Sequence, residues 1–138
     1  MMRLKLWMRA VGVFYLFQAV LAALVRGRVI TVAPSDTNAR AAAGDAMAKA
    51  VVDAWVTFGL EFAAIGAALL FFSWKAEQAK ALVWAVIAIE VVRGIVGDTY
   101  LISRGHPLVG MVIRIIIHTG IIVTGLLFLR EARSTSEA

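Results

Sequence analysis

The stretch LVGMVIRIIIHTGIIVTGLLFL, residues 108–129, decides the fold class of this chain. Its only ionisable residues are Arg114 and His118, and the rest is apolar or weakly polar. A helix needs about 20 mostly apolar residues to cross the hydrocarbon core of a membrane, whereas barrel strands are about 10 residues long and alternate in polarity. Because hydrocarbon offers no partner for backbone groups, this run predicts a membrane-spanning α-helix.

Three further apolar blocks precede this stretch. We expect helices over residues 6–25, 48–74, 81–102 and 108–130. The connections after the second and third blocks are short, so consecutive helices are expected to run antiparallel. The sequence therefore predicts an all-α protein, an integral membrane four-helix bundle of up-down-up-down topology, as a single membrane domain over residues 1–138.

The connection between the first and second blocks is long and polar, and it covers residues 26–47. It contains the succession Pro34, Ser35 and Asp36, which is typical of a helix start. Gly44 and Asp45 then resemble a break followed by a second helix cap. This pattern predicts a short surface helix near residues 36–43 within an outer loop.

The composition excludes several classes of protein. The chain has 138 residues, of which 62% are hydrophobic and 17% are charged, and its mean hydropathy is +0.86. A soluble domain is about 45–50% apolar and about 25% charged, so one water-soluble core cannot hide this excess. Cysteine is absent from the sequence, which excludes disulfides and cysteine-ligated zinc. The formal charge of +5 does not indicate nucleic acid, because the basic residues lie mostly between apolar blocks.

The same basic residues set the expected orientation. The side that holds both termini and the connection over residues 75–80 has seven Lys or Arg residues, and the other side has five. Because cytoplasmic loops are enriched in Lys and Arg, we expect both termini in the cytoplasm. The tryptophans lie near helix ends, where aromatic belts form at membrane surfaces: Trp7, Trp55, Trp74 and Trp84.

Seven ionisable residues interrupt the last three apolar blocks. These candidate site residues are Asp53, Glu61, Glu90, Arg93, Asp98, Arg114 and His118. A charge at the bilayer centre costs at least about 2.5–3.5 kcal/mol on insertion scales, so we expect these groups to meet one another or water inside the bundle. With His118 neutral, this set contains four acidic residues and two arginines. Charge balance then requires a protonated carboxyl group, a charged His118 or a bound cation.

Helical spacing predicts one polar stripe per helix. At about 100° per residue, an arc of roughly 140° contains Glu90, Arg93, Gly94, Gly97 and Asp98. We expect Arg93 to pair with Glu61 or Glu90. We also expect Gly94 and Gly97 to let a neighbouring helix approach.

The polar stripes allow more than one function. In the first, an outward-facing buried polar pocket binds or moves a small molecule or protons. In the second, the network only fixes helix register, or docks an accessory subunit into a membrane complex or homo-oligomer. A membrane enzyme acting on a lipid-soluble substrate ranks third, with Glu61, Glu90 or His118 as proton carriers. We expect no metal and no cofactor, because the His and carboxylate spacing is not diagnostic and no phosphate-loop or dinucleotide motif is present.

Several stretches are similar to one protein family. They are residues 40–45 (RAAAGD), 52–61 (VDAWVTFGLE), 64–68 (AIGAA), 81–84 (ALVW) and 117–126 (IHTGIIVTGL), together with Glu90, Arg93, Asp98 and Arg104. Over nearly its whole length the chain resembles the BphX-like family of small bacterial four-helix membrane proteins, named for a member encoded beside biphenyl-degradation genes. It resembles the DoxX-type proteins more distantly. The resemblance implies a multi-pass protein of the bacterial inner membrane, and it implies no particular reaction or ligand.

Overall fold

The computed structural model describes residues 1–22 and 36–134. Within these residues the regular structure is helical throughout. The α-helices are α1 (Met2–Val20), α2 (Asp36–Ala42), α3 (Ala46–Phe72), α4 (Lys80–Ile89), α5 (Gly97–Ser103) and α6 (Leu108–Ser134). A short 3-10 turn, Ser73–Lys75, follows α3, and a π-helical segment, Glu90–Val96, joins α4 to α5.

The four long helical stretches lie where the apolar blocks predict them, with different ends. The first starts at Met2 rather than residue 6, and its predicted end at residue 25 lies outside the described residues. The third stretch consists of α4, the π-helical segment and α5. It is continuous in sequence, but its winding changes where the π-helical segment lies. In the loop predicted over residues 26–47, the part before residue 36 lies outside the described residues, and α2 and the start of α3 form the rest.

Two helices in the described part are long and apolar enough to cross a membrane. They are Ala46–Lys75, with a mean hydropathy of 1.8, and Leu108–Ser134, with 2.2. Only 22% and 11% of their apolar windows are buried, unlike the core helices of a soluble protein. The other two expected spans contain more charges per window: Arg3, Lys5 and Arg9 in α1, and Glu90, Arg93 and Asp98 in the third stretch.

One compact unit contains Met1–Val11 together with the chain from Leu69 onward. In it the start of α1 packs against α6. The Trp7 indole N–H donates to the Thr124 hydroxyl at 3.0 Å. The Trp7 ring also packs on Gly125, so closely that a Cβ atom added to this glycine would lie 2.9 Å from Cζ2 of the ring. Because Trp7 is buried, the aromatic-belt prediction is wrong for this residue: a glycine on α6 opens a place for its ring inside the unit.

The second compact unit contains residues Gly12–Ala68. In it α1 and α3 approach closely at Gly66, where a Cβ would be 2.8 Å from the Gly12 carbonyl oxygen. The Tyr15 and Phe62 rings meet edge to face, with centroids 5.5 Å apart. Small residues and aromatic edges therefore hold this helix pair together.

Asp45 caps the start of α3 in the second unit. Its Oδ1 atom accepts the backbone N–H of Ala48 at 3.0 Å, and the Arg40 guanidinium contacts Oδ2 at 2.5 Å. The backbone N–H of Ala48 and the guanidinium of Arg40 lower the pKa of Asp45 below its ordinary value. Gly44, with φ of +93°, supplies the left-handed turn that separates α2 from α3.

Candidate functional site

The first unit contains a cluster of four ionisable side chains from two helical stretches. Arg114 and His118 come from α6, and their spacing of four residues places them on one face. Glu90 begins the π-helical segment, and Asp98 lies in the first turn of α5. We call these four residues the histidine cluster.

The four side chains form a linear chain of contacts. The Nδ1 atom of His118 is hydrogen-bonded to Oε2 of Glu90. The other ring nitrogen, Nε2, lies 3.6 Å from Oδ2 of Asp98. Asp98 in turn places Oδ1 2.8 Å from Nη2 of Arg114. His118 is therefore flanked by one carboxyl group on each side of its ring.

Burial differs along this chain of contacts. The side chains of Glu90 and Asp98 are 3% and 1% exposed, His118 is 18% exposed, and Arg114 is 45% exposed. Neither oxygen of Asp98 has a hydrogen bond of good geometry among the described residues, so its contact with Arg114 is an ion pair without a directed hydrogen bond. The two carboxyl groups are thus withdrawn from solvent, and Arg114 connects the cluster to the surface.

Gly94 fixes the position of the histidine ring. A Cβ atom at Gly94 would lie 2.2 Å from Cγ of His118, so the ring packs directly on the backbone of the π-helical segment. The prediction of a close approach is confirmed at Gly94. It is wrong at Gly97, where the nearest atom to a built Cβ is the Val92 carbonyl oxygen at an ordinary 3.7 Å.

The π-helical winding determines which residues share the buried face. In an α-helix, Glu90 and Asp98 would point about 80° apart at 100° per residue. Hydrogen bonds from i to i+5 make a wider turn with less rotation per residue. Glu90, Gly94 and Asp98 are all buried, whereas Arg93 and Gly97 are only partly buried. The wider turn thus aligns every fourth residue with His118.

The hydrogen-bonding capacities of these groups limit how protons are distributed. A neutral imidazole has one N–H donor and one acceptor nitrogen, and an ionised carboxylate has only acceptors. Nδ1 of His118 and Oε2 of Glu90 are within hydrogen-bond distance, so one of these two atoms carries the proton that the other accepts. Nε2 lies 3.6 Å from Oδ2 of Asp98, which is too long for a hydrogen bond. The arrangement therefore places one proton between His118 and Glu90, with Asp98 as a second buried carboxyl group close to the ring.

The remaining predicted site residues lie elsewhere on these elements. Asp53 and Glu61 are at exposed positions of α3 in the second unit, and the Thr57 hydroxyl donates to the Asp53 carbonyl oxygen. Arg93 lies in the π-helical segment and lines an open groove of about 340 Å³ with Ala88, Ile89 and Val92. The pairing of Arg93 with Glu61 or Glu90 stays a prediction.

Among residues 1–22 and 36–134, no group of three or more His, Asp or Glu side chains is arranged to hold a metal ion.

Two features of the site could not be predicted from the sequence. These are the π-helical winding, which has no pattern in a single sequence, and the His118–Glu90 pairing that depends on it.

The chain belongs to the BphX-like family, whose family model matches residues 1–134. No curated protein and no solved structure matches the chain.

Proposed function

We propose that this member of the BphX-like family is a multi-pass protein of the bacterial inner membrane, a four-helix bundle whose histidine cluster binds and moves protons. Both termini face the cytoplasm. The single observation that carries the functional part is the placement of His118 between the carboxyl groups of Glu90 and Asp98.

The distribution of side chains supports the membrane location. Along the third helical stretch, Glu90 and Asp98 are buried, while Val92, Val96 and Tyr100 are exposed. The large exposed apolar side chains of α6 include Val109, Ile113 and Ile116. A soluble protein rarely exposes apolar patches of this extent, and a bilayer requires apolar side chains outside and charges inside.

The charges of the third stretch do not prevent it from crossing a bilayer. Intramembrane ionisable groups are tolerated when they face the bundle interior and pair with one another. Glu90 and Asp98 meet this condition through His118 and Arg114. In α1, the large exposed side chains that follow Arg9 are apolar, and they include Val13 and Phe17.

The close packing of the cluster favours protons over a larger ligand. His118 touches the backbone at Gly94 on one side of its ring and carboxyl groups at both nitrogens. A proton needs no cavity and passes along hydrogen bonds between such groups. Arg114, which is partly exposed, is the member through which the buried carboxyl group of Asp98 meets the surface.

The proposal is tested by proton movement into lipid vesicles. Purified protein is reconstituted into vesicles that enclose a pH-sensitive dye, and a potassium diffusion potential drives proton entry. We expect His118→Gln to lower the rate by about tenfold or more, because glutamine cannot change its protonation state. His106→Gln is the matched control, since His106 is the only other histidine and lies outside the cluster.

Two results would contradict the proposal. In the first, vesicles with the unmodified protein acidify no faster than empty vesicles. In the second, His118→Gln and His106→Gln behave alike, so that any leak is independent of the cluster.

The second candidate function is that of a structural or accessory subunit. The tight contact between His118 and Gly94 also favours this role, because a closed polar network holds helices in register. In that case His118→Gln lowers the melting temperature of the purified protein and leaves vesicle proton movement unchanged. The two measurements together separate the candidates.

A further inference from the structure

One end of the first unit gathers basic side chains from three parts of the chain. Arg3 at the start of α1 pairs with Glu131 near the end of α6 at 2.8 Å. The Arg9 side chain donates to the Ser73 hydroxyl in the 3-10 turn at 3.3 Å. These contacts join the start of α1, the 3-10 turn and the end of α6 into one surface, which we call the basic end.

The basic end has a strong excess of positive charge. Besides Arg3 and Arg9, the segments that form this end or directly adjoin it in sequence contain Lys5, Lys75, Lys80, Arg130 and Arg133. Its acidic residues are Glu77 and Glu131, and Glu131 forms an ion pair with Arg3. The excess of five positive charges equals the formal charge of the whole chain. Most of these basic side chains are exposed.

Exposed aromatic rings lie beside these charges. Phe71 and Phe72 are exposed at the end of α3, and Trp74 is 72% exposed in the 3-10 turn. The Arg9 guanidinium lies 4.6 Å from the centroid of the Trp74 ring. A cation over an aromatic face keeps its charge and orients it. The basic side chains and the exposed aromatic rings therefore lie side by side at the same end of the unit.

We propose that the basic end is a binding surface for the headgroups of anionic phospholipids. The inference rests on the membrane location in the proposed function, and it does not depend on proton movement. The basic side chains meet the phosphate and glycerol groups, and the exposed aromatic rings enter the boundary between headgroups and acyl chains. A nucleic acid duplex would engage the charges but would leave these apolar rings in water.

The test compares two lipids by tryptophan quenching in vesicles. The protein is reconstituted with brominated phosphatidylglycerol, which is anionic, or brominated phosphatidylcholine, which is zwitterionic. We expect stronger quenching by the anionic lipid, and a preference that weakens as salt is raised. The double variant Lys75→Gln/Lys80→Gln should reduce the preference by up to roughly fivefold for each removed charge.

The matched control removes two charges away from the basic end. Lys49→Gln/Arg104→Gln has the same net charge as the test variant and should retain the preference for the anionic lipid. Equal quenching by the two lipids, or equal losses in both double variants, would overturn the inference while leaving membrane insertion intact. Release of the protein from membranes by alkaline carbonate would overturn this inference together with the membrane location.

Discussion

His118 is positioned by contacts on three sides of its ring. Glu90 holds Nδ1, Asp98 faces Nε2, and the backbone at Gly94 supports the ring face. Each contact restricts a different motion of the side chain, so the ring has one orientation relative to both carboxyl groups. Under the proposed function, this orientation allows a proton to pass between His118 and Glu90 without rearrangement of the helices.

Gly94→Ala tests the support of the ring face. The new methyl group would overlap the imidazole, and such overpacking costs about 1–3 kcal/mol. We expect a lower melting temperature in detergent than for the unmodified protein. Gly120→Ala on α6 is the matched control, because nothing lies within 4 Å of its Cβ position and alanine favours the helix. If both variants melt alike, the close contact does not exist.

A double-mutant cycle measures the pair between Asp98 and Arg114. We expect a coupling energy of about 0.5–3 kcal/mol from Asp98→Asn and Arg114→Gln, because the carboxyl group is buried. The reference cycle uses the exposed pair Arg3 and Glu131, whose coupling should stay below about 1 kcal/mol. A coupling at Asp98 no larger than that of the reference pair would argue against a buried ion pair. Chemical denaturation in detergent gives both energies.

The helical elements show where sequence patterns succeed and where they stop. The long apolar runs of α3 and α6 predict these helices because uninterrupted apolarity over such a length has few other structures. The prediction of a polar stripe on the third stretch assumes about 100° of rotation per residue throughout. The π-helical segment changes that rotation, so Gly94 and Asp98 align with Glu90 while Arg93 and Gly97 turn away.

The π-helical segment could not be predicted because its cause is not local. Its residues Glu90–Val96 also suit an α-helix, and α-helical winding has better hydrogen-bond geometry. The π-helical winding occurs together with the contacts of Glu90 and Asp98 with α6, and these contacts exist only after the helices have packed. Wide turns of this kind are frequent at functional sites.

The start of α3 gives a prediction about pH. The pKa of Asp45 is lowered by Ala48 and Arg40, so its contribution to stability is present above the unfolded pKa and is lost as pH falls through the lower folded pKa. We expect Asp45→Asn to be less stable than the unmodified protein at neutral pH and equal to it in acid. Thermal unfolding across pH measures the difference. A difference that persists in acid would show that the charge of Asp45 is not responsible.

The third stretch and α6 are expected to be apolar outside and charged inside. The sequence has no cysteine, so single cysteines can report on exposure to water. In vesicles, Val92→Cys and Ile116→Cys should react at least about tenfold more slowly with a charged maleimide than Lys75→Cys, because a thiolate does not form in hydrocarbon. All three positions are exposed in the isolated chain. Equal reaction rates would mean that α6 and the third stretch face water.

The central claim is that Glu90, His118 and Asp98 bind a proton as one unit. The most direct measurement is nuclear magnetic resonance of the protein in lipid nanodiscs, with isotope-labelled histidine, glutamate and aspartate, across a range of pH. The account predicts that the ring nitrogens of His118 and the carboxyl carbons of Glu90 and Asp98 change in the same protonation step, and that Glu90→Gln displaces the step at His118 but not at His106. A His118 signal that follows pH as His106 does, and that ignores Glu90→Gln, would contradict it.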